Sequence, residues 1–186
     1  MIPYFKKNDL QMFYKYLDKA KVYFEYGAGG STYQASIRKN IVKMYSVESD
    51  PDWYKKVCEN IQNKEKARII YKDLNSRKNK GYPGKIPIED CWVYSNVIKT
   101  IKANTVDLVL IDGRFRVACA LKCFNNITKD AFIIFDDFLK RSYYKEVLNY
   151  YEIVEKTSDN SMVVLKKKNV AYPSDELIQK YEKIAL

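Results

Sequence analysis

Five short apolar runs recur along the chain: VYFEY (Val22–Tyr26), KMYSVE (Lys43–Glu48), ARIIYKD (Ala67–Asp73), VDLVLID (Val106–Asp112) and AFIIFDD (Ala131–Asp137). Each has the length of a strand, and the segments between them carry the spacing of amphipathic helices. A strand that is apolar at nearly every position must be covered on both faces. Alternating strands and helices provide that cover in a parallel sheet with helices on either side. The chain is therefore expected to form one domain over residues 1–186, with a doubly wound, Rossmann-like α/β fold. Two later runs, YYEIVEK (Tyr150–Lys156) and SMVVLKK (Ser161–Lys167), flank the turn TSDN. They predict an antiparallel C-terminal hairpin, which brings the sheet to about seven strands.

Helices are expected at Asn8–Lys19, at Ser31–Asn40 with Ser31 or Thr32 as cap, and at Pro51–Asn63, where proline suits the first turn. Others are expected at Trp92–Ala103, Phe115–Asn126 and near Ser142–Asn149. The polar stretch Leu74–Asp90, with two glycines and two prolines, reads as a long loop of the kind that carries function. With the helix after it (residues 74–104) it is the expected acceptor-side element. Residues 1–21 are expected to pack on the sheet or to lid the site.

With 186 residues the chain can bury a substantial core. No apolar run approaches the ~20 residues of a membrane helix, so no membrane insertion is expected. The start, MIPYFKKNDLQMF, lacks the pattern of a signal peptide. A cytoplasmic protein is expected, or one in the host cytoplasm if the source is viral. Cys58, Cys91, Cys119 and Cys123 form no CxxC pair and the chain has no histidine, which argues against zinc and for reduced, buried thiols. Lys and Arg number 33 against 23 Asp and Glu, a net charge of +10. That excess suits an anionic partner such as RNA or a phosphorylated sugar. It equally suits an AT-rich coding genome, and the scattered lysines favour that second reading.

In sheets of this kind, ligands bind beyond the carboxyl ends of the strands. Those ends carry Glu25 before GAGGST, Glu48 before Ser49 and Asp50, then Asp73, Asp112 before GRFR, and the pair Asp136–Asp137. A rim of acids is a poor phosphate site. The glycine turn also lacks the GK[ST] ending of a P-loop, and Thr32 stands where a dinucleotide fingerprint needs its third glycine. The expected ligand is cationic or rich in hydroxyls, which describes S-adenosylmethionine with its amino group, sulfonium and ribose. Glu48 is placed to accept the ribose hydroxyls, Asp73 the adenine amino group, and Gly27, Gly29 and Gly30 let backbone approach the methionine end.

The blocks EYGAGGST, YSVESDPDWY, DLVLIDGRFRVACALKCF and IIFDDF, spanning Val22 to Phe138, resemble class I S-adenosylmethionine-dependent methyltransferases. The DGRFRVACAL block and GYP (Gly81–Pro83) are similar to a subgroup associated with glycan and sugar O-methylation. This resemblance implies cofactor contacts at Glu25, Gly27, Ala28, Gly29, Ser31, Thr32, Glu48, Ser49, Asp73 and Asp112. It also implies a carbohydrate acceptor and a divalent metal at Asp112, Asp136 and Asp137, with Asp112 as the catalytic residue. Three carboxylates without a nitrogen ligand favour Mg²⁺ or Mn²⁺, which would acidify an acceptor hydroxyl in a chain with no histidine base. Arg114 and Arg116 either orient a substrate or pair with the rim acids. Trp53, Tyr71, Tyr82 and Tyr94 either stack on a ligand ring or pack in the core.

Two other functions fit the chain. One is a nucleic-acid methyltransferase. With no Asn/Asp-Pro-Pro-aromatic motif after the fourth strand and no Pro-Cys nucleophile, that reading narrows to RNA ribose O-methylation. The other is a non-catalytic module that has kept the fold.

Overall fold

The computed structural model describes residues 1–74 and 86–185. The elements are α1 (Lys7–Leu17), β1 (Val22–Tyr26), α2 (Gly30–Ile37), β2 (Lys43–Glu48), α3 (Pro51–Asn60), β3 (Ala67–Tyr71), α4 (Ile88–Ser95), β4 (Val106–Ile111), α5 (Arg116–Cys123), β5 (Ile127–Asp136), β6 (Tyr151–Lys156), β7 (Met162–Lys167) and α6 (Asp175–Glu182). The seven strands form one sheet in the order β3-β2-β1-β4-β5-β7-β6. Strands β1 to β5 are parallel, while β7 runs antiparallel to both β5 and β6. The expected Rossmann-like sheet with its antiparallel C-terminal hairpin is the fold found.

Successive side chains of a strand point to opposite faces. In β4, Leu108 and Leu110 join a core with Met12, Phe13 and Leu17 of α1, whereas Val109 and Ile111 join the larger core with α5. Such double-sided burial is what a strand apolar at nearly every position requires. Helix α1 thus packs on the sheet, and Lys15 and Tyr16 tie it to Glu155 in β6. Local signals set several helix starts. Asp50 caps α3 by accepting the Trp53 N–H at 2.8 Å, with Pro51 in the first turn, and Ser174 caps α6.

Four elements depart from expectation. Helix α4 begins at Ile88, inside the segment read as loop, because Cys91 and Tyr94 bury one face while Glu89 and Asp90 occupy the first turn, where acids favour a helix. Strand β5 begins at Ile127 rather than Ala131, since Ile127 pairs with Val106 across a register shift. Residues Ser142–Asn149 form 3₁₀ rather than α-helix. Helix α6 was not anticipated at all. It buries Ile178 and Tyr181 and sets Glu182 against buried Lys122 and Ser95. Most of the expected loop, including Gly81–Pro83 and Tyr82, falls on residues 75–85, outside the described residues. Among the described residues no helix is long and apolar enough to cross a membrane. All four cysteines are free, and Cys91, Cys119 and Cys123 are buried.

Candidate functional site

Register places the rim. Tyr26 lies beside Val47 on one side and Ile111 on the other, and Ile111 lies beside Phe135. One step further along each strand come Gly27, Glu48, Asp112 and Asp136, which therefore share one edge. The ladder continues into the loops: Gly27 N–H donates to Val47 O, Asp112 N–H to Tyr26 O and Lys72 N–H to Glu48 O, at 2.8–3.0 Å. The strand order reverses between β1 and β4, the place where sheets of this kind hold their ligands.

Gly27 has φ +94°, and a Cβ there would lie 2.9 Å from the Asp112 carbonyl carbon and the Gly113 nitrogen. Only glycine fits on both counts. Gly27→Ala is expected to cost about 2–3 kcal/mol, read as a lowered denaturant midpoint with unchanged slope. Gly30 answers a different need. Its missing Cβ would meet the Ile2 carbonyl at 2.3 Å, because residues 1–3 cross the start of α2, and Gln34 Nε2 donates to Met1 O at 2.8 Å. The segment ahead of α1, rather than α1 itself, thus reaches the glycine turn.

Glu25 is fully buried beneath this turn and accepts four hydroxyls: Tyr23 at 2.8 Å, Ser31 at 2.6 Å, Thr32 at 2.5 Å and Ser46 at 2.5 Å. Thr32 also accepts the Gly29 N–H at 2.8 Å, so turn and acid are one network. Glu25, Ser31 and Thr32, expected as cofactor contacts, lie directly beneath the glycine turn. Their polar atoms are committed to one another, and what they present to a ligand is the backbone of residues 27–30 that they hold in place. Burial raises the Glu25 pKa, with the four hydroxyls opposing.

Glu48 stands at the crevice edge. One oxygen accepts the Ser49 and Asp50 N–H groups and the other accepts Ala28 N–H at 3.0 Å. A carboxylate oxygen has two acceptor directions, so the second oxygen keeps capacity for a hydroxyl. Burial raises the Glu48 pKa against those three donors. Trp53 borders the same space. Its indole N–H donates to Ala28 O at 2.6 Å, the ring lies 3.6 Å from where a Gly29 Cβ would sit, and Lys56 covers it at 4.8 Å. Asp73 is exposed beyond β3, beside Tyr71. Tyr94 is buried, with its hydroxyl accepting the Arg114 N–H at 3.4 Å. These residues fit S-adenosylmethionine by chemistry: acids for hydroxyl and amino groups, and backbone freed of side chains.

The expected metal centre is not what the rim holds. Arg116 lies among Asp112, Asp136 and Asp137. Its guanidinium donates to Asp112 Oδ1 at 3.0 Å and to the Asp136, Gly113 and Asp112 carbonyls at 2.7, 3.1 and 3.3 Å. It lies 3.6 Å from Asp136 Oδ2 and 3.9 Å from Asp137 Oδ2. A guanidinium already fills the centre that a divalent ion would need, and Lys140 takes the other Asp137 oxygen. Among the described residues no group of three or more His, Cys, Asp or Glu side chains is arranged for a metal ion. The structure thus gives no support to the Mg²⁺ or Mn²⁺ expected at Asp112, Asp136 and Asp137, and of the two roles open to Arg116, pairing with the rim acids is the one observed. Burial raises the Asp112 pKa, opposed by Arg116 and reinforced by Asp136. Phe115 and Asp137, with φ of 52° and 58°, hold the left-handed conformation on either side of this cluster. Such backbone outliers persist where the surroundings over-determine them.

No family model matches the chain, and no curated protein matches it. Solved structures do. Over 98% of this chain and 97% of the other, it is similar to a methyltransferase-like protein from Silicibacter pomeroyi, with 22% identity and a TM-score of 0.80. An RNA methyltransferase from Salinibacter ruber, solved with S-adenosyl-L-homocysteine, matches with 14% identity and a TM-score of 0.56 over 94% and 98% of the two chains. A precorrin 8W decarboxylase from Methanobacterium thermoautotrophicum matches with 12% identity and a TM-score of 0.54 over 89% of each. At these identities the likeness establishes the fold, which is the one these three proteins share.

Proposed function

We propose that the chain is an S-adenosylmethionine-dependent O-methyltransferase acting on a hydroxyl of a sugar-containing acceptor, without a divalent metal. The observation that carries this reading is the shared edge of Gly27–Gly30, Glu48 and Asp112, set by strand register. Glu48 would hold the ribose hydroxyls, Asp73 the adenine edge, and the backbone of residues 27–30 the amino-acid end. S-adenosylmethionine, when bound, supplies an activated methyl group on a neutral leaving group, so no acid catalyst is needed.

The protein's task is to orient a hydroxyl and take its proton. Asp112 is the carboxylate suited to both, since it stands at the crevice and Arg116 fixes one of its oxygens. A raised pKa makes it a stronger base than an ordinary aspartate once ionised. Activity is expected to rise with pH through this raised pKa, so its acid limb should lie above the usual carboxylate range. Asp112→Asn should lose about 100-fold in kcat and abolish that limb, measured as a pH profile of methyl transfer.

Calorimetry with S-adenosylmethionine and NAD tests the cofactor. Only the former is expected to bind, and Glu48→Gln should weaken it about tenfold or more, since a hydrogen bond to a charged group contributes about 1.5–3 kcal/mol. Transfer of labelled methyl to sugars, glycans and RNA, with and without EDTA, tests the rest. Activity on sugars that is unchanged by EDTA is expected, and loss in EDTA would defeat the metal-free reading. A second reading, RNA ribose methylation, draws on the net charge of +10. It predicts transfer to RNA that falls steeply with salt.

A further inference from the structure

Beneath the 112–116 loop, away from the glycine turn, lies a cavity of about 610 Å³ lined by Ile86, Ile88, Cys91, Trp92, Phe115, Gln179, Lys183 and Ala185. Its size is that of a small-molecule site, and its lining is apolar except at one end. There Gln179 and Lys183, both exposed and one helical turn apart on α6 and its end, line the opening, with no carboxylate within salt-bridge distance of Lys183 among the described residues. The walls are fixed independently of any ligand. Helix α6 is locked to α4 and α5 by the buried Lys122–Glu182 pair, and Ser95 donates to the same Glu182 oxygen at 2.6 Å. Cys91 is buried and its thiol is pushed up to about 11, so it serves as apolar wall rather than as a nucleophile.

From these features we propose a second ligand site for an aromatic carboxylate, its ring against Ile88, Trp92 and Phe115 and its anionic end at Lys183 and Gln179. The site is linked to the rim by direct contacts. Phe115 N–H donates to Ala185 O at 3.3 Å, and its ring packs edge-to-face on Tyr94 at 5.8 Å. The Tyr94 hydroxyl lies 2.1 Å from the place a Gly113 Cβ would take. Phe115 is itself buried, so an occupant pressing on this wall bears through it on the loop between Asp112 and α5. This proposal does not depend on the methyltransferase reading, because its test requires neither cofactor nor turnover.

The test uses 2-naphthoate and its neutral counterpart 2-naphthamide, with calorimetry on the whole chain and Trp92 fluorescence as readouts. The wild type is expected to bind naphthoate about tenfold more tightly than naphthamide, as one charge-assisted contact allows. Lys183→Met should erase that preference and leave naphthamide binding unchanged. Lys180→Met, on the same helix outside the cavity, should change nothing. Ile88→Trp should fill the cavity and abolish both, with thermal unfolding confirming that the variant folds. If Ile88→Trp does not fold, the Lys183→Met comparison decides alone. Absence of naphthoate binding at millimolar concentration, or a preference that survives Lys183→Met, overturns the proposal.

Discussion

Glu25→Ala is expected to destabilise the protein by about 3–5 kcal/mol, because it strips the shared acceptor from four buried hydroxyls at once. Tyr23, Ser31, Thr32 and Ser46 all donate to this one carboxylate, and none is more than marginally exposed. For a chain of this length the loss corresponds to a fall in Tm of roughly 10 °C or more. Thr32 also holds the Gly29 N–H, so the turn should loosen and cofactor affinity should fall with stability. Glu25→Gln separates shape from charge: it keeps the volume and one acceptor, and the hydroxyls can reverse direction toward its amide. It should therefore cost much less. The two forms should also differ with pH. The folded Glu25 pKa is raised above its unfolded value, so its contribution is fullest below the unfolded pKa and is lost as pH rises through the folded one. The stability difference between wild type and Glu25→Gln should shift against the wild type across that window. A difference that does not change with pH would show that Glu25 does not titrate there, and an unaffected Tm in Glu25→Ala would remove it from the turn's framework.

Arg116→Met is expected to cost about 3–5 kcal/mol at neutral pH, the range found when one member of a buried charge cluster is removed. The guanidinium is largely buried and serves three carbonyls as well as the acids, so its removal leaves those oxygens without their donor and the carboxylates without a counter-charge. Asp112 and Asp136 are both already raised by burial and by nearby acids. Without Arg116 they rise further, so the variant should recover stability as pH falls and lose it as pH rises. Arg116→Lys should not restore the wild-type state, since a single ammonium cannot reach residues 112, 113 and 136 together. Denaturant melts of both variants from acid to neutral pH check this. A lysine variant as stable as wild type would show that charge alone suffices.

The fold was legible because its signal is redundant. Nearly wholly apolar β4 admits hardly any environment but a covered parallel sheet, and the acids at the ends of β2, β4 and β5 mark one edge whatever the helices do. What remained hidden was which way each acid faces. Glu25 and Glu48 look alike in the sequence. One sits a step before the strand's end, where the period of two turns it into the core among Tyr23 and Ser46, and the other sits at the edge itself. The partners of Glu25 come from two strands and a helix, so no local spacing shows them. Arg116 was legible as a candidate but not as the centre of its cluster. That depends on α5 starting at Arg116 itself, after Phe115 in the left-handed conformation, which aims the guanidinium back across β4 toward β5. Helix α6 carried local signals that went unread, a Ser174 cap and acids in the first turn, while its buried face and the Glu182–Lys122 pair depend on residues far away in the chain.

Gly27 and Gly113 face each other so closely that a Cβ on either would lie 2.9 Å from the other's nitrogen. Their fates over sequence divergence are consequently joined. Neither position can gain a side chain while the opposite loop keeps its place; Gly27 is held besides by its φ of +94°, and Gly113 by the Tyr94 hydroxyl 2.1 Å from its Cβ position. Drift at this contact is thus barred to single steps. Two residues far apart in the chain behave there as one heritable unit.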